Sequence, residues 1–102
     1  MFALPESLTL AQAKAAVQAI ELALEQDSVE KGAFMIDASG LRHFDTAAIA
    51  VLLEARRLAQ AAGRAFSVRG AQPALVGLSA VYGVEELLGF ERSAASVQSA
   101  LA

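Results

Sequence analysis

The sequence predicts an α/β fold, a small sheet, parallel or mixed, with helices packed on it. Three observations point there. Runs with apolar residues at helical spacing alternate with short apolar runs bounded by turn residues. Strand and helix alternating in this way build a parallel sheet. And 102 residues suit one domain, 1–102, around one core.

Thr9 followed by Gln12 forms a capping box, in which the hydroxyl accepts from a first-turn amide while Gln12 reaches back to the cap. A helix is therefore expected from Leu10 to about Gln26. Leu10, Ala13, Val17, Ile20 and Leu24 make its core stripe, and Lys14, Gln18, Glu21 and Glu25 lie on another face. Asp27 to Gly32 is polar and ends in glycine. Ala33-Phe34-Met35-Ile36 is too short for a stable helix and suits a buried strand, ended by Asp37-Ala38-Ser39-Gly40. Asp45 can cap a second helix running to Ala62, where Gly63 supplies a left-handed stop. Ala65 to Arg69 reads as a strand closed by Gly70. Pro73 then sits in the first turn of a helix carrying Leu75, Val76 and Leu78. Tyr82 and Gly83 are expected to form its end and turn, with part of the Tyr82 ring on the core. Residues 84–90 are apolar without a clear period, and Ser93 is placed to cap a last helix through Val97 and Leu101, unless the tail frays.

Composition narrows the function. Apolar residues make up 56% of the chain and the mean hydropathy is +0.48, high even allowing for the alanines, so a partner protein is expected to cover some apolar surface. A formal charge of −3, an isoelectric point near 5.0 and no basic run leave no footprint for DNA or RNA. Cysteine is absent, which excludes disulfides and thiolate metal sites and fits a reducing compartment. The start Met1-Phe2-Ala3-Leu4-Pro5 has no signal-peptide form, and no apolar run nears the roughly 18 residues of a bilayer span. A cytoplasmic protein without direct membrane insertion is expected, reaching the membrane only through a partner.

The second helix carries the functional argument. On a 3.6-residue wheel, Ala48, Val51, Leu52, Ala55, Leu58, Ala59 and Ala62 share the side that must face the sheet. Thr46, Ile49, Ala50, Leu53, Arg56, Arg57 and Gln60 then point outward, two large aliphatic residues beside a hydroxyl and two guanidinium groups. The bland account is that a loop covers Ile49 and Leu53 or that they are singly exposed. The sharper account is a recognition face whose aliphatic residues fill a partner's pockets while the arginines pair with carboxylates.

Phe34-Met35-Ile36-Asp37, the link to Phe44-Asp45-Thr46-Ala47-Ala48, the apolar helix to Gly63 and the strand 65–69 resemble a STAS domain. Within that family the likeness is to MlaB-type proteins, on Phe44-Asp45-Thr46-Ala47-Ala48 and on Leu78-Ser79-Ala80-Val81-Tyr82-Gly83-Val84. The resemblance implies a non-catalytic accessory subunit of a phospholipid-transport ABC complex at the inner membrane. Its contact would be with a MlaF-like ATPase subunit, through Asp45, Thr46, Ile49, Ala50, Leu53, Arg56 and Arg57. A homodimer remains open for the free protein. The family's other well-known branch, the anti-sigma factor antagonists, is switched by phosphorylation of a serine two positions after the aspartate. That position is Ala47 here, which leaves Thr46 as the possible phosphorylation site. Too few residues precede Thr9 for the family's usual first strand, so a smaller sheet, or one completed at its edge by something else, is expected.

An enzyme would draw on Asp37, Ser39, His43 and Asp45, grouped where a strand ends. Each has a plainer role: Asp45 as cap, Ser39-Gly40 as turn, His43 in a solvent-facing loop. With one histidine a zinc site would be nearly all carboxylate, so no metal is expected. No glycine-rich phosphate loop is present, and no cofactor is expected.

Overall fold

Short parallel strands, joined across helices within each sheet, give the molecule its shape in the computed structural model, which describes residues 2–26 and 33–90. The polar link 27–32 and the tail with the expected cap at Ser93 lie outside the described residues. In chain order the elements are β1 (Phe2–Ala3), β2 (Ser7–Leu8), α1 (Leu10–Gln26), β3 (Phe34–Asp37) and β4 (His43–Phe44). They continue with α2 (Thr46–Ala61), β5 (Phe66–Arg69), α3 (Pro73–Val81) and α4 (Glu85–Leu88).

The sheet order is β1-β3-β5, with β2-β4 as a second, two-stranded sheet, and every described pairing is parallel. Phe2 pairs with Ile36 and Phe34 with Phe66, and an isolated bridge from Val68 to Phe90 extends the ladder past β5. The first strand expected to be missing is therefore present. Two-residue strands carry no readable alternation, and they are held by partners distant in sequence rather than by local propensity.

Alternation decides the faces of the sheet. Phe34, Ile36 and Val68 are fully buried, and Met35, Asp37, Ser67 and Arg69 lie on the opposite face, half-buried or exposed. Successive right-handed crossovers in one direction put α1 and α2 on the same side of the sheet, and the two helices pack against each other. The core is completed there by Leu8, Ile20, Leu24, Leu41, Leu52, Leu75 and Leu88.

The helix ends follow local chemistry. At α1 the Gln12 side chain does reach back, its Oε1 accepting from the Thr9 amide at 2.9 Å. The Thr9 hydroxyl, expected to accept from an amide, instead donates to the same Oε1 at 2.7 Å. Leu10, the first residue of α1, is 80% exposed, and the packed stripe begins a turn later at Ala13. At the end of α2, Arg64 N–H donates to the Ala59 carbonyl and Gly63 N–H to that of Gln60, both at 2.9 Å, a Schellman closure. The same pair of bonds closes α3, from Val84 to Ser79 and from Gly83 to Ala80. Tyr82 caps α3 as expected, but its side chain is turned out and 56% exposed rather than resting on the core.

Candidate functional site

The link from β3 to α2 is built from short-range hydrogen bonds. Asp37 ends β3, and its Oδ1 accepts the Ser39 amide at 3.0 Å, turning the chain. That bond and one with the Ser39 side chain hold the Asp37 carboxyl below its ordinary range, with a smaller contribution from the Arg69 charge, against the opposing effect of burial. The amides of Arg42 and His43 both donate to the Glu6 carbonyl, at 2.8 and 3.0 Å, which fixes the approach to β4. Gly70 closes over this turn from the other side. Its φ is +71°, and a Cβ there would stand 2.9 Å from that of Ser39, so a side chain at this position would collide with the turn.

Asp45 then starts α2. Its backbone is extended, and its Oδ1 accepts from the Ala47 amide at 2.8 Å, leaving Thr46 exposed as the first helical residue. From Thr46 the solvent-facing stripe continues through Ala50, Leu53 and Arg57, at i, i+4, i+7 and i+11. Ala50 and Arg57 are exposed, and Leu53 is half-buried with part of its surface on the core. Arg56 is half-buried beside this stripe.

Ile49 does not belong to the surface. It is 5% exposed and part of the core cluster. A wheel with one buried side assumes that α2 meets only the sheet, whereas α2 packs against α1 and α4 as well as β5. Burial therefore takes in a wider arc, and Ile49 falls within it. Ala62, placed on the sheet side by the same wheel, is the exposed C-cap.

Arg57 is also less available than expected for pairing with a partner. Its Nε and Nη2 grip Glu54 Oε1 and Oε2 at 2.6 and 2.8 Å, a two-point fork on the helix surface. The pairing lowers the Glu54 carboxyl and raises the Arg57 guanidinium relative to their ordinary values. Glu54 was not among the candidate residues, although its i,i+3 spacing to Arg57 was the available signal.

The alternative constellation is not drawn together. Asp37 is engaged by Ser39 and Asp45 by Ala47, and His43 lies exposed in β4, where it pairs with Ser7. No hydrogen bond among the described residues joins His43 to Ser39, Asp37 or Asp45.

A family model described as "Mlab, STAS domain" matches residues 1–89. The chain belongs to the STAS domain family, in its MlaB-like form. The match takes in every strand and all four helices of the STAS domain described above, and the Asp45-Thr46 pair falls within it at the start of α2. No curated protein matches the chain. No helix among the described residues is long and apolar enough to cross a membrane.

Proposed function

We propose that this STAS domain is a non-catalytic accessory subunit that docks on the ATPase subunit of an ABC phospholipid transporter. The contact is the N-terminal end and outward stripe of α2. One observation carries the reading: one oxygen of the Asp45 carboxylate caps the helix, while Thr46, Ala50 and Arg57 stand exposed in line behind it, with Leu53 half-exposed among them. The stripe offers a hydroxyl, a small residue that permits close approach, an aliphatic anchor and a charged rim, the graded composition of a docking face. Membership of the MlaB-like family supports the choice of partner. Docking of this kind holds the protein at the cytoplasmic side of the inner membrane without any segment of its own entering the bilayer.

A phosphorylation-controlled switch is the lesser reading. The second position after Asp45 is Ala47, which has no hydroxyl to modify, and its amide already binds Asp45. A phosphate on Thr46 would gain from the helix N-terminus but stand next to the Asp45 carboxylate.

The test is an affinity pull-down from native membranes with wild type and Thr46→Glu in parallel, eluted proteins being identified by mass spectrometry. Glutamate in the first turn suits the helix dipole, so the variant keeps its fold while docking weakens by about 2 kcal/mol or more. An ABC ATPase and its permease recovered with wild type alone is the expected result. A kinase and a sigma-factor regulator in their place would transfer the protein to the switch class.

A further inference from the structure

The two arginines of α2 are adjacent in sequence but differently engaged. The charged residues of the helix are Glu54, Arg56 and Arg57. Arg57 is occupied, its Nε and Nη2 holding the two oxygens of Glu54 at 2.6 and 2.8 Å. That bond, then the Glu54 charge and, more weakly, the charge of Glu21 on α1 keep the Arg57 guanidinium above its ordinary value. Glu54 and Arg57 cancel, so the fork brings no net charge to the face, and opening it for a partner would break bonds already made.

Arg56 has no such tie. Among the described residues it forms no hydrogen bond and no ion pair. Yet Arg56 is half-buried, whereas the paired Arg57 is exposed. The helical period explains why. Ile49 at i−7, Leu52 at i−4 and Ala59 at i+3 share its side of α2, and all three are buried, so the Arg56 stem lies along the rim of the core with its head towards water. A stem held by packing has less rotamer freedom left to lose, and partial burial strengthens an ion pair made by its head.

The acids of the helix are committed elsewhere. Within α2 the acidic residue is Glu54, with both oxygens on Arg57, and the Asp45 carboxylate lies at the opposite end of the helix on the Ala47 amide. In a chain of 11 acidic and 8 basic residues, an unpaired guanidinium at the edge of the docking face is a charge left for another molecule. Leu53 stands three residues before Arg56, a neighbour on the helix surface, and is only half-buried. A surface that covers Leu53 therefore meets Arg56 as well.

We propose that Arg56 is the charged contact of the α2 face, and that the ATPase surface docked there sets a carboxylate against its guanidinium, beside the pocket that takes Leu53. The Glu54-Arg57 fork stays closed in the complex and forms a neutral edge. This rests on the docking reading above and adds to it the chemistry of the partner's surface and the one arginine that meets it.

The test is the affinity of the full-length chain for the purified MlaF-like ATPase subunit of the same organism, measured by calorimetry across a range of NaCl concentrations. Arg56→Gln is expected to weaken binding about tenfold or more and to flatten its dependence on salt. The double variant Glu54→Gln, Arg57→Gln removes the fork without altering the net charge; it changes the affinity less than about threefold and keeps the salt dependence. Arg56→Lys, which keeps an aliphatic stem and the charge, retains that dependence and binds between wild type and Arg56→Gln. Packing of the stem alone would not move the salt dependence, so this readout separates an ion pair from a structural role. Binding by Arg56→Gln equal to wild type would overturn the inference, as would a double variant that loses as much as Arg56→Gln, and either result leaves the docking in place. A wild-type chain that does not bind the ATPase would overturn the docking reading and this inference together.

Discussion

Helices α2 and α3 each follow a parallel strand and each turn one side to solvent, but the sides are made differently. Asp45 caps α2, whose buried arc is wide and whose exposed stripe mixes hydroxyl, methyl, aliphatic and an ion pair. Gln72 gives α3 no side-chain cap, and its exposed side is apolar, with glycine at its centre. The contrast teaches that an exposed helix face can signal contact in two ways, through graded polar chemistry or through the removal of all charge.

The largest expected effect tests where the α2 stripe stops. With Ile49 in the core, Ile49→Ala leaves a cavity and should lower unfolding free energy by about 3 kcal/mol, read by urea denaturation. Ala50→Glu, one residue on and exposed, should leave stability within about 0.5 kcal/mol of wild type while impairing ATPase docking. A stable Ile49→Ala variant with impaired docking would return Ile49 to the surface and erase the boundary drawn here.

That boundary shows what the sequence could and could not reveal. The capping aspartate, the helical period and Gly63 made α2 readable almost to the residue, because each acts through neighbours in the chain. The first sheet strand, Phe2–Ala3, was unreadable because its ladder partner is β3, supplied from beyond a whole helix. Ile49 was misplaced for the same reason: lateral packing of α1 on α2 leaves no mark in the sequence of α2. The absence of charge from α3 could be read directly, but its exposure became evident only once Leu75 and Ser79 were seen to take the buried side. The wheel put Thr46 outward, where it is exposed, and neither the wheel nor the resemblance pointed to Glu54, which occupies the fork of Arg57.

A smaller effect separates the two helix starts. Asp45→Ala removes a made cap and should destabilise the protein by about 1 kcal/mol, whereas Gln72→Asp offers a side-chain cap that Gln72 does not make and should stabilise it by about 0.5 kcal/mol. Opposite signs in thermal melts would sharpen the contrast between a finished and an unfinished helix end. Equal and negligible effects at both sites would remove the distinction.

The smallest effect lies where the two regions meet. The Asp37-Ser39 turn leads towards α2, and Gly70, on the way into α3, closes against Ser39, so the approaches to both helices meet at the turn set by the Asp37 carboxylate. Its folded-state pKa is depressed below the unfolded value, first by the Ser39 amide bond. A depressed carboxylate contributes stability that is fully present above its unfolded pKa and is lost as pH falls through its folded pKa. Asp37→Asn keeps an acceptor for the Ser39 amide but not the charge, so it should cost about 0.5 kcal/mol at neutral pH. Denaturant melts of variant and wild type should therefore converge as the solution is taken down through the carboxylate range. A gap that persists at the acid end would assign the turn's contribution to shape rather than charge, and the link between the two helix starts would then be steric, carried by Gly70 on Ser39.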